Sequence, residues 1–220
     1  LAPLQTLSGI CRFYLMKVHP YFELYVSPIN IDPANPNIPI STPESYSADI
    51  ADEIGYYYTQ GMPEDTKALN QDFINNEAYI EQSDFIINER QKMLNLEMER
   101  FSSGLLFVYF STTDLISHMF WRYMDKEHPG YTSEEAEKYS NVIKRTYKRM
   151  DTLLGEVMKR IDNDTTLIIL SDHGFGPFRR YFHINRWLKD NGYLNFMDDS
   201  LDESNEFFEN VDFGMTKAYS

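Results

Sequence analysis

Two short apolar runs constrain this chain most. Leu105-Leu106-Phe107-Val108-Tyr109-Phe110 and Thr166-Leu167-Ile168-Ile169-Leu170 are continuous rather than alternating in polarity. That is the pattern of strands covered on both faces, as in a parallel sheet between helical layers. Each run leads into a segment carrying Asp and His: Asp114 and His118 after the first, Ser171-Asp172-His173-Gly174 after the second. In open α/β sheets, ligands bind beyond the carboxyl ends of the strands. His183 follows closely enough in the chain to fold back toward the same place.

The intervening sequence supports such a sheet. Thr132-Ser133-Glu134-Glu135 reads as a capping box. It predicts a long helix with the apolar stripe Ala136, Tyr139, Ile143, Met150, Leu153, Val157 and Ile161, closed by Asn163-Asp164. Upstream, Ala78, Phe85, Ile86, Met93 and Leu96 recur at helical spacing and predict a helix from about Asn76 to Arg100, stopped at Ser102-Ser103-Gly104. Strand, long helix, strand places the chain in the α/β class, with a mostly parallel sheet flanked by helices. Ile10 to Val18 and Tyr21 to Val26 also read as strands. Five prolines between Pro28 and Pro43 predict an extended connection, after which Thr42 caps a helix opened by Pro43-Glu44. A short helix is expected over Ile184 to Asp190, with Gly192 as its stop. The stretch Asp198 to Asp212 holds seven acids and no Lys or Arg, and reads as a solvated loop.

Composition excludes several classes of function. With 42% apolar residues, 16 Tyr and 15 Phe, the chain has the material for a packed core and is not a disordered segment. A net charge of -14 argues against binding a nucleic-acid polymer, and means that any phosphate must be held by local cations. The one cysteine, Cys11, excludes an internal disulfide and is expected as a small buried hydrophobe in a strand. No run approaches the roughly 20 apolar residues of a membrane span. The chain begins at Leu1 without Met and is read as a piece of a longer polypeptide.

Asp114 and His118 stand four residues apart, which puts both on one face of a helix. Such a pair alone is common on helix surfaces. Asp172-His173 is more telling. Adjacent strand residues point apart, so only a sharp turn aims both at one ion, and Gly174 supplies the backbone freedom for that turn. Two polar groups at the end of a buried strand are also costly unless paired. Asp and His together suit zinc, or manganese and iron in oxygen-rich sites. The alternative is an Asp that caps a helix beside a hydrogen-bonded His. Arg179 and Arg180 are candidate phosphate ligands, although partnering surface acids is the commoner role for such residues.

Taken together, these residues resemble the alkaline phosphatase superfamily, and within it the type I phosphodiesterase/nucleotide pyrophosphatase family, in its predicted phosphohydrolase and phosphomutase group. The resemblance rests on Phe110-Ser111-Thr112-Thr113-Asp114-Leu115-Ile116-Ser117-His118, on Ser171-Asp172-His173-Gly174-Phe175-Gly176-Pro177 and on Phe182-His183-Ile184-Asn185-Arg186-Trp187-Leu188. Leu24-Tyr25-Val26-Ser27-Pro28-Ile29-Asn30 and Tyr58-Thr59-Gln60-Gly61-Met62-Pro63-Glu64-Asp65-Thr66 also match. It covers nearly the whole chain, read as a partial alkaline-phosphatase-like catalytic domain in which residues 10–100 are a candidate cap or insert.

The resemblance implies a hydrolase of phosphate mono- or diesters using two divalent metal ions, zinc or manganese, and a covalent phospho-enzyme. Asp114, His118 and His183 would hold one ion, and Asp172 and His173 would help hold the second. The family also uses an upstream Asp and a Ser or Thr nucleophile. Thr6 and Ser8 do not match that segment, so the nucleophile is expected upstream of Leu1 and the isolated piece is expected to be inactive. The expected partner is a small phosphoester, and an uncovered sheet edge would permit self-association. Sulfatase, phosphonate hydrolase or phosphomutase chemistry on the same scaffold, and a non-catalytic metal-binding or interaction module, are the alternatives.

Overall fold

The computed structural model describes residues 7–198, 200 and 208–220. The chain divides into two compact units, Leu1–Phe175 and Gly176–Ser220.

The first unit opens with β1 (Gly9–Ile10), β2 (Phe13–Lys17), β3 (Glu23–Val26) and β4 (Asn30–Ile31). Both sheets are two-stranded and antiparallel. β1 pairs with β4, and β2 pairs with β3 with Tyr14 opposite Tyr25 and a register shift between Leu15 and Lys17. The hairpin alternates as a half-covered ribbon should: Tyr14, Met16 and Tyr25 pack on the core, while Phe13, Leu15, Leu24 and Val26 face outward. The predicted first strand is interrupted at Cys11-Arg12, where Arg12 N–H donates to Ser27 Oγ and Ser27 N–H to the Arg12 carbonyl. Cys11 falls in this break and is exposed, not buried as expected.

Helices build the rest: α1 (Tyr46–Ile54), α2 (Thr66–Asn70), α3 (Asn76–Arg100), α4 (Thr112–Met124), α5 (Ser133–Tyr139) and α6 (Val142–Met158). α3 has the predicted bounds, with Asn75 accepting the Ala78 N–H as its cap. α1 starts later than Pro43 because residues 41–45 fold back. Ser41 Oγ, not Thr42, accepts the Ser47 N–H. The helix predicted from the Thr132 box splits in two. Thr132 does cap α5, but Asn141 has ψ -2, toward the bridge region, which breaks the helical ladder between α5 and α6. The split brings Val142 into the core beside Ile143.

α3, α4 and α6 enclose an aromatic core of Tyr79, Phe120, Tyr123 and Tyr139 with Ile116, Val142 and Ile143. Phe120 lies at its centre, its ring 6.2 Å from Tyr79, 5.5 Å from Tyr123 and 6.0 Å from Tyr139. Aromatic rings prefer such offset and edge-to-face arrangements.

The mixture of helices and small sheets is compatible with the α/β class. Among the described residues, however, no parallel strand pair occurs. Leu105–Phe110 and Thr166–Leu170 carry no ladder, and Leu105, Phe107, Ile168, Ile169 and Leu170 are largely exposed. A strand needs a hydrogen-bonded neighbour from elsewhere in the chain, and an apolar run alone does not supply one.

A buried ion pair ties the hairpin region to α3. Glu89 accepts from Arg12 at 2.9 Å and from the Tyr58 N–H at 2.9 Å. Arg12 also lies over the rings of Phe85 and Tyr58. Burial raises the Glu89 carboxyl above its usual range, against the pull of the Tyr58 N–H and Arg12. A raised folded pKa means that the native state holds the proton more tightly, so this group's stability is present at low pH and is lost as pH rises through the folded pKa. Arg12→Met is expected to move that loss to higher pH. Its cost at neutral pH should be about 2–3 kcal/mol, discounted from the fully buried case because Arg12 is partly exposed. Urea midpoints from pH 4 to 8 measure it, and a pH-independent deficit would contradict this account.

The second unit is built on α7 (Ile184–Asp190), with His183 as its cap and Gly192, at φ +72, just past its end. Leu194, Phe196 and Val211 form a small core with Leu188 and Phe208. Of the predicted acidic loop, residues 199 and 201–207 lie outside the described residues, as does Thr6.

Candidate functional site

α4 begins directly after the apolar run that ends at Phe110. Its first turn is held by Glu64, a buried carboxylate that accepts from Ser111 Oγ at 3.0 Å and from Thr112 Oγ1 at 2.5 Å. A carboxylate at a helix N-terminus is also favoured by the helix dipole. The next residue, Asp65, caps α2 through the Ala68 N–H, accepts from Tyr25 Oη at 2.6 Å, and donates its own N–H to Gln82. Hairpin, α2, α3 and α4 are thereby tied together just below the start of α4.

Helical spacing then places Asp114 and His118 on one face, and the two side chains meet: His118 Nε2 lies 3.5 Å from Asp114 Oδ1. His173 reaches the same oxygen from the turn after Leu170, with its Nε2 also at 3.5 Å. Asp172 Oδ2 stands 3.7 Å from His173 Nε2. Residues from two separate motifs thus form one string: Asp172, His173, Asp114, His118. Asp114 Oδ1, at its centre, is shielded from solvent and accepts no hydrogen bond. Such an atom is normally satisfied. The outer members are open, His118 and His173 being 53% and 51% exposed.

The tautomer of His173 is set by its other nitrogen. Nδ1 lies 3.0 Å from the Gly174 carbonyl, which only accepts, so Nδ1 carries a proton and Nε2 is the nitrogen turned toward Asp114. That hydrogen bond, followed by the charges of Asp172 and Asp114, raises the imidazole above its ordinary pKa. The Tyr109 phenol is pushed up by burial and then by Asp114, Asp172 and Glu64, a second sign of concentrated negative charge here.

Carboxylate oxygens and imidazole nitrogens are donor types that divalent ions accept. Ligand atoms about 2.0–2.1 Å from a tetrahedral ion stand roughly 3.3–3.5 Å from each other. The Asp114–His118 and Asp114–His173 pairs both have that spacing. Among the described residues, no group of three or more His, Cys, Asp or Glu side chains is arranged to hold a metal ion.

His183 belongs to the second unit, where its Nδ1 accepts the Arg186 N–H at 3.2 Å as the cap of α7. That contact uses the Nδ1 lone pair and leaves the proton on Nε2 in the neutral ring. Ligation through Nε2 requires the opposite tautomer. Arg179 and Arg180 are exposed in the same unit.

Sequence reasoning assigned no role to Glu64 or Phe175. Both lie within the matching motifs, but nothing local announces that Glu64 is buried against two hydroxyls. Phe175 makes a T-shaped contact with His118 at 4.8 Å, lies near His173 at 5.7 Å, and stacks on Trp121 at 5.8 Å. The neighbouring hydroxyls are engaged. Those of Ser111 and Thr112 bond Glu64, and Ser171 Oγ donates to the His173 carbonyl at 2.6 Å.

Among the described residues, no helix is long and apolar enough to cross a membrane. Comparison with curated proteins and with solved structures gives no match. A family model does match, over residues 28–215, and its span contains both halves of the Asp-His string as well as His183. The chain belongs to the type I phosphodiesterase/nucleotide pyrophosphatase family.

Proposed function

We propose that this chain carries part of the metal centre of a phosphoester hydrolase, with substrates among small phosphate mono- or diesters. The observation that supports this reading best is the approach of two imidazole Nε2 atoms, from separate motifs, to one unsatisfied carboxylate oxygen of Asp114 at 3.5 Å. Asp114 and His118 are assigned to one divalent ion, and Asp172 and His173 to a second beside it, zinc or manganese. His183 completes the first set only by exchanging its cap bond to Arg186 for the other tautomer. When bound, such ions supply Lewis-acid stabilisation of the charge that develops on a phosphoryl group.

The chain's own residues then have definite tasks. The Gly174 carbonyl holds the His173 proton on Nδ1 and keeps Nε2 available. Glu64 fixes the first turn of α4 and with it the direction of Asp114. Arg179 and Arg180 are assigned to the non-bridging oxygens of the substrate. The attacking hydroxyl is assigned outside the residues described here. It displaces the ester oxygen from phosphorus, which leaves as the alcohol after taking a proton, and water then cleaves the enzyme phosphoester. Residues 10–100 are assigned to a cap over the substrate.

The test uses purified full-length protein, which includes the segment carrying the attacking hydroxyl, with elemental analysis and a bis(nitrophenyl) phosphate assay. His118→Ala and Asp172→Ala are expected to lower bound metal and to reduce hydrolysis by more than about 100-fold, beyond the usual cost of losing an outer-shell partner. Wild-type metal content and rate in both variants would overturn the assignment. Stoichiometric metal without turnover in the 220-residue chain would fit a truncated enzyme and a binding module alike, and turnover once the segment with the attacking hydroxyl is present would favour the enzyme.

A further inference from the structure

We propose that Phe175 is a positioning residue that sets the spacing between His118 and His173; this rests on the metal-centre reading given above. The two imidazoles come from segments far apart in sequence, α4 and the turn after Leu170. Both are about half exposed, and the polar partner they share is a single oxygen of Asp114. At 3.5 Å that contact is too long and too open to hold a ring in one orientation. Phe175 touches both rings. It meets His118 at 4.8 Å with an interplanar angle of 80°, and His173 at 5.7 Å and 57°.

Phe175 is itself anchored. Its ring stacks on Trp121 at 5.8 Å and 29°. Trp121 lies three residues beyond His118 on the same face of α4 and packs against the hydrophobic core. The apolar core is therefore extended through Trp121 and Phe175 to the backs of the two imidazoles. A flat ring suits this role. Flat rings favour edge-to-face contacts such as the one with His118, and the two rotatable bonds of Phe175 leave less freedom than a flexible aliphatic chain would. Carbonyls and carboxylates usually orient the histidines of metal sites. Here the Gly174 carbonyl does so for His173, and an aromatic ring takes that part for His118.

The experiment is cobalt(II) binding to the 220-residue chain, followed by the visible d–d spectrum and by titration calorimetry. Phe175→Leu is expected to weaken binding by about 10- to 100-fold, the range for outer-shell partners, and to change the intensity of the d–d bands. Phe175→Tyr keeps the ring and is expected to restore both. The melting temperature of the metal-free Phe175→Leu protein should stay close to wild type, since the ring is only half-buried at the margin of the core and leucine is also apolar. Wild-type affinity and spectrum in Phe175→Leu would overturn the positioning role. If Phe175→Leu does not fold, nuclear Overhauser contacts between the Phe175 ring and the His118 and His173 rings in the unmodified protein decide the matter, and their absence overturns it. His118→Ala is titrated in parallel. Its failure to affect cobalt binding would sink the metal centre itself, separately from Phe175.

Discussion

Asp114→Ala is expected to abolish binding at the proposed metal centre while leaving the protein folded. Bound metal is expected to fall at both positions, because Asp114 Oδ1 lies 3.5 Å from both His118 Nε2 and His173 Nε2. In the full-length enzyme, phosphodiester hydrolysis should drop by more than about 100-fold. Stability should change little. Asp114 lies in the first turn of α4, where a carboxylate contributes about 0.3–1 kcal/mol through the helix dipole. Against that, the substitution deletes a buried oxygen that has no hydrogen-bond donor. A structural acid would show the reverse, with stability lost and metal unaffected. Elemental analysis, the diester assay and a urea melt on the same preparation separate the two. Unchanged metal with a loss of several kcal/mol would return Asp114 to the scaffold.

Phe120→Ala should have the opposite profile. The side chain is fully buried among Tyr79, Tyr123 and Tyr139. Truncating such a ring costs about 3–5 kcal/mol, through lost burial and the cavity left behind. For a protein of this size that corresponds to a fall in melting temperature of roughly 6–20 °C. Phe120 lies on the face of α4 opposite Asp114 and His118, so one helix carries the core on one side and the candidate site on the other. Below the lowered melting point, the surviving folded protein should bind metal as the wild type does. A loss under about 1 kcal/mol would mean that α4 does not pack as described.

The two outcomes form a pair. One variant changes chemistry at nearly constant stability, and the other changes stability at nearly constant chemistry. The contrast depends on α4 being placed by its buried face and by Glu64, with Asp114 itself outside the hydrophobic core.

What could be read from the residues alone was local. The 25-residue span of α3 is set by the Asn75 cap, the apolar spacing inside it and the loop signal after Arg100. The span and stop of α7 follow from its short apolar pattern and Gly192, and the family from motifs held in order along the chain. Each of these depends on interactions between residues a few positions apart. The rest needed distant partners. Leu105–Phe110 and Thr166–Leu170 have the composition of buried strands yet carry no ladder among the described residues, because a ladder is a contact between remote segments. Asn141 interrupts a helix that the apolar stripe alone would continue. Glu64 becomes a buried partner of Ser111 and Thr112 only when α4 is set down beside it. The residue types in the Asp172, His173, Asp114, His118 string were visible from the start, but their approach to one oxygen was not. Spacing along a chain specifies which face a side chain occupies, whereas the distance between two faces is decided by how the core beneath them packs.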